Sequence, residues 1–176
     1  MHFGILGPLE LHDGERAVRL GARKHRVLLT CLLLRANAVV STDELIDAVW
    51  GSRPPRSAPK LLQVYVSQLR RVLGAVVLET RPPGYLLHVA QAELDASRFE
   101  QELAAGRQAA ATGNVALAAS LFRRALSLWR GGSALQDVAY DAFASTEARR
   151  LEELRLECLE ARLTAELELG LHDQAL

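Results

Sequence analysis

Features that would indicate an enzyme are missing from this chain of 176 residues. It has no Gly-rich phosphate loop, no Ser/His/Asp constellation and no metal-ligand spacing. Its five histidines are scattered along the chain, which is typical of surface or strand-edge residues rather than of a catalytic or ligand cluster. We therefore expect neither an enzyme nor a bound metal or cofactor.

Long apolar runs and paired cysteines are missing as well. No stretch approaches the roughly 20 apolar residues that span a membrane, and Met1-His2-Phe3 begins a strand pattern rather than a signal peptide. Cys31 and Cys158 each lie among Leu residues at helical spacing, which is typical of reduced, buried thiols. We expect a cytoplasmic, nucleoid-associated protein with no membrane partner.

The formal net charge is zero, which taken alone argues against a nucleic-acid partner. The charges are nevertheless unevenly distributed. Residues 1–92 carry 12 Lys and Arg against 7 Asp and Glu, whereas residues 93–176 carry 9 against 14. This asymmetry predicts two domains, with boundaries 1–92 and 93–176, of which the first is a candidate for an anionic partner.

The pattern along the chain predicts a mainly α protein with a small β component. Apolar residues alternate in residues 2–21, where Asp13-Gly14 supplies a tight turn, so this segment should form a small antiparallel sheet. Three helices and a hairpin should follow, with arms at Val76–Leu78 and Tyr85–Val89. The predicted helices cover about 22–36, about 41–50, opened by a Ser41-Thr-Asp-Glu44 capping box, and 59–73.

The second half reads as an all-α, tetratricopeptide-like domain. Its helices are predicted at about 95–112, from the Gly113-Asn114 break to 128, and at about 147–169. A further helix has barely begun at 172–176, which predicts that the helical domain is truncated in this sequence.

The helix predicted at 59–73 has two distinct faces. Leu62, Val66, Leu69 and Leu73 form a core stripe. The opposite face carries side chains suited to base edges and phosphates: Lys60, Gln63, Val64, Ser67, Gln68 and Arg71. The same pattern also fits a solvated surface face. Arg70 lies nearer the core boundary, where a salt bridge is an alternative role.

The hairpin that follows favours DNA binding. Its turn places Arg81 beside two prolines, and a cation there would be drawn to the negative potential of a narrow minor groove. Gly84 is predicted to provide a free φ in the turn, and Tyr85 to pack beneath the hairpin. Further candidate phosphate contacts are Arg53, Arg56 and Trp50, for which solvated charges and a core indole are the alternatives.

Several strings resemble known regulators. LIDAVWG, VYVSQLRRVLG and TRPPGYLL are similar to the second helix, recognition helix and wing of the OmpR-type winged helix. FGILGPLEL and RKHRVLLTCLLLRAN, followed by an acidic helical half, resemble the Streptomyces antibiotic regulatory protein family. The strings LDASRFEQEL, LFRRALSLWRG and LEELRLECLEARL fit that family's bacterial transcriptional activation domain.

The resemblance implies a transcriptional activator, with a four-stranded sheet opening the fold. The residues of the polar helix face would enter the major groove and Arg81 the minor groove. The implied partners are double-stranded promoter DNA with direct repeats, a second copy of the chain on that DNA, and RNA polymerase holoenzyme. Secondary-metabolite genes would be the targets.

Two alternatives stay open at this point. A repressor could use the same DNA reader. A helical-repeat interaction module whose N-terminal domain docks proteins would instead show affinity for protein or peptide, and little salt-dependent DNA binding.

Overall fold

A computed structural model describes residues 1–74 and 77–170. Within these residues, six strands and six helices follow the order β1, β2, β3, α1, β4, α2, α3, β5, β6, α4, α5, α6. The strands are β1 His2–Gly4, β2 Glu10–Asp13, β3 Arg16–Ala17, β4 Val39–Ser41, β5 Leu78–Arg81 and β6 Gly84–Leu87. The helices are α1 Arg23–Leu34, α2 Thr42–Trp50, α3 Ala58–Leu73, α4 Asp95–Ala111, α5 Val115–Ser127 and α6 Ala142–Glu168, and a 3₁₀ turn covers Gln91–Glu93. The predicted fold class, mainly α with a small β component, is confirmed.

The first sheet is antiparallel with the order β1-β2-β3. Gly14, with φ of 58°, turns the chain between β2 and β3, as the Asp-Gly pair predicts. The resemblance implied a four-stranded sheet here, and the described residues form three strands. Phe3 and Leu11 of this sheet are buried, as are Ile5 and Leu6 directly after β1.

The three N-terminal helices form close to where the sequence places them. Ser41 caps α2 by accepting a hydrogen bond of 3.1 Å from the backbone N–H of Glu44, which confirms one half of the predicted capping box. The reciprocal bond, from the Ser41 N–H to the Glu44 carboxylate, is not found among the described residues. The Glu44 carboxylate lies 3.6 Å from Arg35. Helix α3 begins one residue before the predicted Pro59, with the proline in its first turn.

The hairpin belongs to a second sheet, with order β4-β6-β5, whose strand β4 was not predicted. Tyr85 is buried, as expected. The predicted role of Gly84, a free φ in the turn, is wrong, because its φ is not positive and it is the first residue of β6. A Cβ atom there would stand 1.8 Å from the Val40 carbonyl oxygen, so the close approach of β4 requires glycine. Val76 lies outside the described residues.

Helices α4, α5 and α6 pack consecutively in the second half. Asn114 caps α5 by accepting from the N–H of Leu117 at 3.2 Å, so the predicted break and restart are confirmed. Phe99 and Phe122 are fully buried between these helices. Helix α6 begins at Ala142, five residues before the predicted start, and the predicted helix at 172–176 lies outside the described residues.

The two halves share one continuous hydrophobic core and a buried polar junction. The Asp95 carboxylate accepts hydrogen bonds from the backbone N–H groups of Ile5 at 2.8 Å and Leu6 at 3.0 Å. Arg130 donates to the same carboxylate at 2.6 Å and to the Pro8 carbonyl at 3.2 Å. The junction therefore fixes the first sheet against the helical half.

A further ion pair, more exposed to solvent, joins the two halves. Arg23 of α1 meets Asp141, directly before α6, with an N–O distance of 2.9 Å.

Among the described residues, no helix combines the length and hydropathy that a membrane crossing requires.

Candidate nucleic-acid interface

Helix α3 presents a continuous polar face to solvent. All four residues of the predicted core stripe are buried. The six predicted contact residues are all exposed: Lys60, Gln63, Val64, Ser67, Gln68 and Arg71. At 1.5 Å per residue, this face is about 16 Å long from end to end. Its length and polarity suit the major groove, which admits an α-helix.

Arg70 joins α3 to the wing, which we define as the hairpin β5–β6. Its Nε donates to the Leu78 carbonyl at 2.8 Å, and its Nη2 donates to the Thr80 hydroxyl at 2.7 Å. Its guanidinium carbon lies 5.9 Å from the centre of the Tyr85 ring. The predicted position near the core boundary is correct, but these hydrogen bonds go to a carbonyl and a hydroxyl rather than to a carboxylate. This side chain fixes the wing relative to the exposed face of α3.

The wing carries a charged cluster. Arg81, 58% exposed, donates from Nε to Oε1 of Glu79 at 2.8 Å. The other carboxylate oxygen of Glu79 lies 3.1 Å from Nε2 of His88. Hydrogen bonds from His88 and then Arg81 hold the pKa of the Glu79 carboxyl below its ordinary value. The carboxylate thus orients Arg81, and it also places a negative charge beside the predicted minor-groove contact.

An aromatic cluster supports α3 from the neighbouring helices. The Trp50 ring stacks on Tyr65 with centroids 5.8 Å apart and an interplanar angle of 16°. Lys24 places its Nζ 5.0 Å from the centre of the Trp50 ring. The indole Nε1 of Trp50 is buried and lacks a hydrogen-bond partner among the described residues. Donation from this nitrogen to a phosphate would therefore require the side chain to move, and that contact stays a prediction.

The loop before α3 carries the remaining candidate contacts. Arg53 and Arg56 are both exposed there. Residues 51–92 contain six Lys and Arg against a single acid, Glu79, so this part of the chain is far more basic than the whole. Such a local excess of cations suits a polyanionic partner.

Sequence reasoning missed His25 altogether, and it noted Arg70 without its link to the wing. His25, on α1, contacts Gln68 and Tyr65 of α3, and Arg70 links α3 to the wing. The basic run Arg23-Lys24-His25-Arg26 was a possible signal, but no local pattern places α1 beside the polar face of α3. Within the described residues, no group of three or more His, Cys, Asp or Glu side chains could hold a metal ion.

Two family models match the chain. Residues 15–87 match the model described as "Transcriptional regulatory protein, C terminal". Residues 94–176 match the model described as "Bacterial transcriptional activator domain". Between them, these two matches include α1–α6 and both arms of the wing.

Similar proteins include Regulatory protein DnrI of Streptomyces peucetius, 42% identical over 98% of this chain and 67% of that protein. Regulatory protein AfsR of Streptomyces coelicolor is 39% identical over 99% of this chain but 18% of its own length. The chain therefore spans about two thirds of one relative and under a fifth of the other.

The fold is also similar to a solved structure, "Mycobacterium tuberculosis EmbR in complex with low affinity phosphopeptide". The TM-score is 0.91 at 36% identity, covering 96% of this chain and 46% of that one. The two family matches and the similarity to DnrI and AfsR agree with the arrangement of α3, wing and helical half. The chain belongs to the Streptomyces antibiotic regulatory protein family of transcriptional regulators.

Proposed function

We propose that this protein binds double-stranded promoter DNA sequence-specifically and activates transcription. In this proposal, the polar face of α3 enters the major groove and Arg81 approaches the adjacent minor groove. The single observation that carries it is the division of α3 into a fully buried stripe and an exposed face of six residues. A face used for recognition must be accessible to solvent, whereas the opposite stripe holds the helix on the domain.

The proposed contacts fall into two chemical groups. Gln63, Ser67, Gln68 and Arg71 carry donors and acceptors for base edges, and Val64 can contact a thymine methyl group. Cations at the periphery of the face suit phosphates, which fix register without reading sequence: Lys60, Arg53 and Arg56. Trp50 would join them by donating to a phosphate after a rearrangement of its ring.

We assign residues 1–92 to the DNA reader and residues 93–176 to an activation domain. One reader covers few base pairs, so two copies side by side on direct repeats would supply the missing specificity. Within each copy, the buried junction at Asp95 would fix the helical domain relative to the reader, and therefore its orientation on the DNA. That domain would recruit RNA polymerase holoenzyme at promoters of secondary-metabolite genes, within the nucleoid.

Arg71→Ala tests the reader directly. We expect it to weaken binding to a direct-repeat promoter fragment by about 1–3 kcal/mol if Arg71 contacts a base, with less effect on scrambled DNA. The matched control is Arg149→Ala on α6, where the side chain is 74% exposed beside Glu153. It removes the same charge far along the chain from α3 and should leave specific binding unchanged.

Fluorescence anisotropy across a salt series measures both variants against the wild type. Equal affinity of the wild type and Arg71→Ala would remove Arg71 from the interface. Equal weakening by Arg71→Ala and Arg149→Ala would mean that net charge, rather than the polar face of α3, determines the affinity.

A further inference from the structure

His25 of α1 makes a side-chain contact with the exposed face of α3. Its ring Nε2 is hydrogen-bonded to the amide oxygen Oε1 of Gln68, which lies 43 residues further along the chain. Gln68 is one of the six exposed residues of the proposed reading face. A residue outside the recognition helix therefore touches a side chain proposed to meet the bases.

The His25 ring is held in place from the other side. Its centroid lies 4.8 Å from that of Tyr65, with the two planes tilted by 58°, and Tyr65 in turn stacks on Trp50. The three rings come from α1, α3 and α2 and form a continuous row. This packing restrains the imidazole, so its hydrogen bond restrains the side-chain amide of Gln68.

The hydrogen bond determines which part of the amide is available to DNA. A glutamine amide has an acceptor oxygen and a donor NH₂ group. Bidentate pairing with adenine uses both, since the oxygen accepts from N6–H and the nitrogen donates to N7. With Oε1 held by the ring N–H of His25, one of its two lone pairs is occupied and the oxygen is directed towards α1, so the NH₂ group is the half of the amide that is free to turn to a base.

We infer that His25 is a specificity-determining residue that acts through Gln68. It makes Gln68 a donor, which favours bases with major-groove acceptors alone, such as the O6 and N7 atoms of guanine or O4 of thymine. The inference rests on the proposed DNA-binding function. His25 itself is a positioning residue, because it sets the orientation of Gln68 without contacting a base.

The test compares base preferences among variants of the full chain. The probe is a duplex selected by the wild-type chain from random DNA, together with all its single base-pair substitutions. Gln68→Ala identifies the position that Gln68 reads. His25→Phe keeps an aromatic ring beside Tyr65 but removes the N–H donor, and we expect it to shift the preference at that position towards adenine by roughly tenfold.

Three further variants make the test specific. His25→Gln supplies an amide N–H of similar reach and should restore the wild-type preference, which a packing role would not predict. His12→Phe, in the first sheet beside Glu10, is the matched control and should change no position. Addition of His25→Phe to Gln68→Ala should cause no further change in preference.

The outcomes separate this inference from the proposed function. A wild-type chain that shows no base preference would overturn both. A selective wild type whose preference is unchanged in His25→Phe and in His25→Gln would overturn the inference alone. A uniform loss of affinity at every position in His25→Phe, without rescue by His25→Gln, would also overturn it, since this is the signature of packing.

Discussion

Asp95 provides a sharp test of how the two halves are joined. Its side chain is 8% exposed and accepts four hydrogen bonds, from the N–H groups of Ile5, Leu6 and Ala96 and from Arg130. Asp95→Asn keeps the shape but removes the charge and one acceptor oxygen. The new NH₂ group must then face a backbone donor or the guanidinium, so at least one buried donor loses its partner.

The magnitude follows from burial and from the remaining partners. Removal of one member of a buried ion pair costs about 3–5 kcal/mol. Arg130 keeps the Pro8 carbonyl and lies 3.2 Å from the Glu10 carboxylate, so the lower end applies, about 3 kcal/mol. For a chain of this size that loss corresponds to a melting temperature lower by roughly 6–12 °C.

Thermal unfolding followed by circular dichroism at pH 7 measures the effect. The matched control is Asp141→Asn, which removes the ion pair with Arg23 between the same two halves. Arg23 is 63% exposed, and surface pairs contribute at most about 1 kcal/mol, so this variant should melt close to the wild type. Equal melting temperatures for Asp95→Asn and Asp141→Asn would show that the buried Asp95 carboxylate stabilises the protein no more than the exposed ion pair does.

Two further predictions concern the wing and the buried thiols. Glu79→Gln removes the carboxylate that holds Arg81, so it should raise the affinity for DNA in anisotropy titrations. The slope of log affinity against log salt concentration should steepen by about one unit. Unchanged binding would place the wing away from DNA. Burial raises the pKa of the Cys31 thiol from 9.0 to about 12. Because the unfolded thiol ionises first, its contribution to stability is complete below pH 9 and is lost as the pH rises towards 12. In urea titrations at alkaline pH, the free energy of unfolding should fall with rising pH less steeply in Cys31→Ala than in the wild type, by about 1.4 kcal/mol per pH unit. Identical pH dependences of the two proteins would contradict this.

The sequence predicts those parts of the fold that depend on neighbouring residues. The start of α2 follows from Ser41, and the bounds and buried stripe of α3 follow from residues three and four positions apart. Such features are visible in any short window of the sequence. The exposure of all six candidate contacts on α3 follows from the same periodicity.

Features that depend on distant partners were not predictable in the same way. Strand β4 is three residues long and is defined by its pairing with β6, more than forty residues later. Asp95 resembles an ordinary first-turn acid of α4, yet its carboxylate binds amides about 90 residues earlier. His25 acquires its role only through the packing of α1 beside α3. The requirement for glycine at position 84 also depends on a distant partner, because the close approach of β4 leaves no room for a side chain there.

The proposed function requires that the exposed face of α3 reads DNA sequence. The most direct measurement is selection of DNA fragments bound by the purified chain, in parallel with a variant carrying Gln68→Ala and Arg71→Ala. Wild-type fragments should share a motif repeated head to tail at about one helical turn, 10–10.5 base pairs, and the variant should lose this enrichment. Wild-type fragments without a shared motif, or an identical motif from the variant, would contradict it.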